Sequence, residues 1–369
     1  MSVPVASLDS ALPPVFVHSG WRCSSTYIWS RFRALAGVRA YYEPWHEHLQ
    51  TMTHEIIARE TPEHTRLRHP GGDRPYLAEF SDLITPQGGV AGYHERFALD
   101  GYRLAAEQDD PEQQAYAAGL IDHAQAQGEV PVLACCRTLG KIEWLRRRFG
   151  GFHIVLIRDP LQQWLSFYSL RKRPRPTYFE ICQYVLMAEF AEADSLRGDL
   201  KVPDSRGHGF AGRLAAVRRR LKRAPAKVSF AAFLSIYILS YLQALPEADL
   251  VIDVDRLGRD ADYRAAVSQA IEAGCGLSLD FSDCRTPEPR ETAPPVRYRQ
   301  MSRRVVERLD TRGALAAPGA TALLFGKLAR AMVDAPEPPP SAWRTLVSWL
   351  RGQRDGMAQA VTRPAPRLG

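Results

Sequence analysis

Two stretches of this chain repeat one pattern: an apolar run too short for a helix, a loop, an amphipathic helix, then a second short apolar run. In the first, Val15-Phe16-Val17 leads through His18 to Ser25 into a helix expected from Ser25 to Ala36 and closed by Gly37. Val38 to Tyr42 follows at once. In the second, Val130 to Cys136 leads into a helix from Lys141 to Phe149, a Gly150-Gly151 break and the apolar run Phe152 to Ile157. Strands joined by crossover helices lie parallel, and a parallel sheet needs helices on both faces. The pattern therefore predicts an α/β fold with a central parallel sheet and flanking helices. Ligands of such sheets sit beyond the strands' carboxyl ends.

The rest of the chain reads as elaboration of that core. The 369 residues, 45% of them apolar, are expected to form one domain over 1–352 with helical insertions at 51–128 and 194–227, followed by a frayed tail from Gln353 to Gly369. The first insertion carries a Pro/Gly-rich loop around His69 to Pro75 and a helix from Pro111 to Gln127; the second is basic and interrupted by Gly and Pro. Val228 to Leu245 carries no charge, but its spread of Ser229, Ser235, Ser240 and Gln243, and the strand Leu250 to Val254 close behind, predict a core helix, not a membrane span. The six cysteines lack metal or disulfide spacing and read as reduced core thiols. Met1 to Pro14 has neither the basic start nor the apolar stretch of a signal peptide, so a cytoplasmic location is expected. The net charge of +7 favours anionic ligands in general.

The chemistry concentrates at the two strand ends. The loop His18-Ser-Gly-Trp-Arg-Cys-Ser-Ser-Thr26 places small hydroxyl residues and free backbone amides at a helix N-terminus, a cradle for phosphate to which Arg22 adds a fixed charge. It lacks the Gly-Lys-Ser/Thr ending that would hold ATP and its magnesium. The second junction, Ile154-Val-Leu-Ile-Arg158-Asp-Pro-Leu-Gln-Gln-Trp-Leu-Ser166-Phe-Tyr168, ends a strand in arginine. Asp159 suits an N-cap, Pro160 the first helical position, and Ser166 lies about two turns into the helix. A forked cation with a hydroxyl suits a phosphate monoester.

In these two motifs the chain resembles the sulfotransferases that use 3′-phosphoadenosine-5′-phosphosulfate (PAPS), closest in form to those acting on carbohydrates. The resemblance covers roughly Val15 to Tyr168, with a late strand and turn at Val251 to Leu257. It implies a P-loop-like sheet in which Arg22, Cys23, Ser24, Ser25 and Thr26 hold the 5′-phosphosulfate, Arg22 neutralising the sulfuryl and bridging oxygens, while Arg158 and Ser166 hold the 3′-phosphate. It also implies PAPS as co-substrate and a carbohydrate or glycolipid hydroxyl as acceptor. Sulfuryl transfer is an in-line displacement, so alignment and charge stabilisation suffice, and no metal is required.

Two places compete for the general base. At the end of the strand before Arg158 the chain reads Cys136-Arg137-Thr138-Leu139, and Leu139 cannot take a proton where the aryl and steroid enzymes carry histidine. The step Tyr42-Glu43-Pro44-Trp45-His46 resembles the carbohydrate enzymes, which implies Glu43 as base, with His46 in reserve. Sequence alone leaves open a solvated Glu43 or one paired with Arg22. Arg137 and Lys141 read as contacts for sulfate or acceptor, or as a surface pair. His46, His48 and His54 suggest a metal cluster, but the missing carboxylate partners leave histidines on a helix start as the simpler reading. Arg146-Arg147-Arg148 and Arg218-Arg219-Arg220 read as solvated faces or as a glycan groove. Trp21 and the arginines from Arg290 to Arg304 are candidates for adenine or 3′-phosphate contacts. The main reading assigns no nucleic-acid partner and no transmembrane segment, and leaves the oligomeric state open. The rival readings are a P-loop kinase of a small molecule and a non-catalytic protein that binds nucleotide or anionic polymer.

Overall fold

A computed structural model describes residues 13–59, 74–170, 176–205, 208–221, 225–285, 296–309 and 322–332. Five strands, β1 (Val15–His18), β2 (Val38–Tyr42), β3 (Val130–Cys135), β4 (Phe152–Ile157) and β5 (Leu250–Asp253), form one sheet in the order β2-β3-β1-β4-β5, every neighbouring pair parallel. The described helices are α1 (Ser25–Arg33), α2 (His54–Arg59), α3 (Pro111–Ala126), α4 (Ile142–Phe149), α5 (Pro160–Tyr168), α6 (Tyr178–Leu186), α7 (Asp194–Asp199), α8 (Phe210–Leu221), α9 (Ala226–Ala244), α10 (Val254–Leu257), α11 (Ala261–Cys275), α12 (Val296–Arg308) and α13 (Ala322–Met332).

The period of two along each strand sorts side chains between the faces. Val15 and Val17 of β1, Val132 of β3 and Ile154 of β4 pack with Ile28, Trp29 and Phe32 of α1 and with Val267 and Ile271 of α11. On the opposite face Phe16 and Leu133 meet Trp144 and Leu145 of α4 and Leu120 of α3. Val155 and Ile157 there meet α5, α6 and α9. The expected sheet and its two helical layers are thus present. β3 stands between β1 and β2, so the first strand–helix–strand unit straddles a strand contributed by the second.

Several boundaries shift for local reasons. α1 ends at Arg33, three residues short of the expected Ala36, because Leu35 N–H bonds to the Phe32 carbonyl and tightens the last turn. Gly37 then adopts φ 72 and turns the chain into β2. The 194–227 segment is more than a surface loop: Leu196, Phe210, Val217 and Leu221 reach the core. α9 has the length and apolarity to cross a membrane; in this fold it is buried and feeds β5. All six cysteines are buried and free. The Gln353–Gly369 tail, most of the loop around His69, and Arg290 lie outside the described residues.

Candidate functional site at the sheet's carboxyl edge

The strand order fixes where a site can form. From β1 the chain crosses toward β2; from β4 it crosses the other way, to β5. Their adjacent carboxyl ends are therefore a topological switch point, where the diverging connections leave a crevice. The loop after β1 and the Arg158 junction after β4 meet there.

That loop is held in a demanding shape. Among the described residues four non-glycines have positive φ, and three of them border this edge: Arg22 (φ 66), Ser24 (φ 61) and Glu43 (φ 51). Each such conformation costs about 1–3 kcal/mol and persists only where surroundings impose it. At Gly20 a Cβ would stand 2.6 Å from Gln163 Nε2, which holds the Trp21 carbonyl at 2.9 Å, so any larger residue would push that amide aside. Ser24, the residue before α1, is left-handed and its hydroxyl makes no capping bond, so the sequence's plain alternative of an ordinary capped helix start does not hold. The first turn of α1 also lacks acidic residues. Its amides thus present positive potential without a carboxylate to compete for them.

Three of the expected residues converge on this helix start. Arg22 Nε donates to Ser166 Oγ at 3.3 Å, and Arg158 donates from its guanidinium to the Arg22 carbonyl at 3.0 Å. α5 starts as the sequence predicts, with Asp159 accepting from the Gln162 amide at 2.9 Å and Pro160 next. Tyr237 donates to the Arg158 carbonyl at 2.7 Å and fixes the strand end from α9. The remaining loop side chains divide. Ser24 is exposed, whereas Ser25 and Thr26 are largely buried and Thr26 Oγ1 lies 2.9 Å from the Tyr42 hydroxyl. Cys23 is buried, and desolvation pushes its thiol up to about 12, which makes it packing and not a nucleophile.

On the β2 side Glu43 is buried, and its partner is not Arg22. Its carboxylate accepts from Arg137 at 2.9 Å, from the Cys136 amide at 3.3 Å and from the Cys136 thiol at 2.9 Å. Arg137 also reaches Glu47 at 3.2 Å and the Tyr178 hydroxyl at 3.2 Å, and sits over the Trp21 ring, 5.5 Å from its centroid. Tyr178 donates in turn to Glu47. The surface pair that the sequence allowed is therefore wrong for both members: Arg137 and Lys141 are each 1% exposed. Lys141 turns into the insertion's core, donating to Gln113 Oε1 at 2.6 Å and to the Phe97 carbonyl at 3.3 Å, which removes it from any substrate surface.

His46 is held neutral by burial and by the nearby Arg137 charge, its pKa well below the usual histidine range. Its Nδ1 accepts from the His48 amide at 3.2 Å, so the neutral ring carries its proton on Nε2, the wrong tautomer for a base acting through that nitrogen. His46, Glu47 and His48 bring three ligand-type atoms within 4.8 Å of one another, but Glu47 is already engaged by Arg137 and Tyr178. His54 instead begins α2. Trp21 is buried, which removes it as an adenine platform, and Arg304 pairs with Asp199 on α7. Arg146 and Arg148 are spent on the fold, binding the Glu247, Ala106 and Gln108 carbonyls and the Asp249 carboxylate, while Arg147 stays exposed beside Glu107.

Four buried polar atoms around the loop, Ser19 Oγ, Trp21 Nε1, Arg137 Nε and Gln163 Oε1, have no protein partner among the described residues. Buried polar groups are rarely left so. Glu47, Tyr178 and Gln163 were not singled out from sequence, and only their contacts reveal them. Asp255, which bonds the Asp159 amide at the Arg158 junction, carried a signal: an Asp-x-Asp step, Asp253-Val254-Asp255, spans the end of the predicted fifth strand. No protein-family model matches this chain, and neither a curated protein nor a solved structure matches it.

Proposed function

We propose that the chain is a P-loop-like sulfotransferase that takes a sulfuryl group from PAPS and passes it to an acceptor hydroxyl on a carbohydrate or glycolipid in the cytoplasm. The observation that carries the reading is the convergence of Arg22, Ser166 and Arg158 beside the uncapped start of α1, at the switch point of the sheet. In this reading the α1 amides with Ser24, Ser25 and Thr26 take the 5′-phosphosulfate, Arg22 the sulfuryl oxygens, and Arg158 with Ser166 the 3′-phosphate. The acceptor oxygen bonds to sulfur as the bridging S–O bond breaks. The hydroxyl proton passes to Glu43 and the negative charge leaves on the 5′-phosphate. Trp21 links the cradle loop to this carboxylate, because its ring lies against Arg137, which holds Glu43.

Calorimetric titration with adenosine-3′,5′-bisphosphate, AMP, ADP and ATP tests the reading. The bisphosphate should bind at least about tenfold more tightly than AMP, a gap of about 1.4 kcal/mol, and Arg158→Ala should erase that gap. Magnesium-dependent preference for ATP would establish a kinase instead, and indifference to the 3′-phosphate would remove the sulfotransferase.

A further inference from the structure

Behind the Arg158 junction runs a line of charges that crosses from β5 to α13. Lys327 is 0% exposed and donates to Asp253 Oδ1 and to Asp255 Oδ2, each at 2.7 Å. Asp255 Oδ2 also accepts from the Asp159 amide at 2.6 Å, so two strong donors draw the carboxylate's charge to that oxygen. The other oxygen, Oδ1, stands 3.8 Å from Arg158 Nε, beyond hydrogen-bond distance. Arg158 reaches away from it, toward the Arg22 carbonyl. Among the described residues the ammonium thus lies on one side of Asp255 and the guanidinium on the other.

We infer that Lys327 is a positioning residue of the 3′-phosphate site: by neutralising Asp255 it keeps the Arg158 guanidinium turned toward the cradle. The inference rests on the reading of the Arg158–Ser166 corner given above. A charge that loses its partner in a largely dehydrated place draws on the next available counter-ion. With the ammonium removed, Asp255 would draw Arg158 from the 3.8 Å ion pair into a hydrogen-bonded one. The phosphate would then have to compete with a carboxylate already in place. α13, distant in sequence from both junctions, would thus add a charge to the site besides its apolar packing with α5.

The test is calorimetric titration of the full chain with adenosine-3′,5′-bisphosphate and with AMP, in wild type, Lys327→Met and Lys327→Met/Asp255→Asn. The single variant should lose about tenfold in affinity for the bisphosphate, one charge-assisted contact's worth, while AMP binding stays within about twofold. Neutralising Asp255 as well should restore most of the loss, because Arg158 is no longer drawn off. A merely structural role would weaken both nucleotides alike and would show no rescue; either result overturns the inference. Should Lys327→Met fail to fold by circular dichroism, the charge-balanced double variant decides, and absence of a 3′-phosphate preference in it overturns the inference. Wild type that ignores the 3′-phosphate overturns the reading of the corner and this inference with it. Wild type and Lys327→Met that show the same preference overturn this inference alone.

Discussion

Replacing Lys141 by methionine should remove a slope from the dependence of stability on pH. The ammonium is fully buried against two neutral oxygens, those of Gln113 and Phe97, and burial lowers its pKa to about 7. An unfolded lysine titrates near pH 10.4, so between about pH 7 and 10 the unfolded chain holds a proton that the folded chain has released. Unfolding then takes up a proton, and the unfolding free energy rises with pH by about 1.4 kcal/mol per unit across that window. Below about pH 7 both states carry the proton, the slope vanishes, and the folded state bears the whole penalty of a buried charge. Methionine fills a similar volume and cannot titrate. Urea unfolding of both proteins at pH 7.5, 8.5 and 9.5 isolates the effect, because every other group cancels in the difference. Wild type should gain about 2–3 kcal/mol on the variant from pH 7.5 to 9.5. Parallel curves would refute the reasoning, since they would mean that Lys141 keeps its proton in the folded protein.

Three further outcomes follow from the site. Glu43→Gln should lower sulfuryl transfer by about a hundredfold or more while the affinity for adenosine-3′,5′-bisphosphate, measured by calorimetry, changes little; unaltered transfer would move the base elsewhere, Glu47 being the nearest carboxylate that shares Arg137. Gly20→Ala should weaken nucleotide binding by displacing Gln163 from the Trp21 carbonyl, and Gln163→Ala, which removes the same bond, should weaken it similarly; unchanged calorimetric affinity in both would refute a role for that contact in shaping the loop. Cys23, Cys135 and Cys136 should resist iodoacetamide at pH 8 in the folded protein and react fully in urea, as read by mass spectrometry; burial raises all three thiols, so labelling of native protein would contradict their placement.

Much of the architecture is local and was legible as such. The short apolar runs, the Gly37 turn, and the Asp159-Pro160 start of α5 each depend on a few neighbouring residues, so composition and spacing were enough to place β1 to β5 and most of α1, α3, α4, α5 and α9. Arg22, Arg158 and Ser166 could be nominated because strand ends and helix starts are where a parallel sheet keeps its ligands. Their meeting was decided by strand order: β1 and β4 become neighbours although well over a hundred residues separate them, and no local pattern encodes which strand takes the middle of a sheet. The same limit explains Lys141, which reads as a surface lysine at a helix start until the 51–128 segment packs over it. Arg137 and Glu43, Lys327 and Asp255 pair for a related reason. Charge type can be read from the chain, but the partner of a buried charge is chosen by which elements the core brings together, and burial is what makes that choice matter.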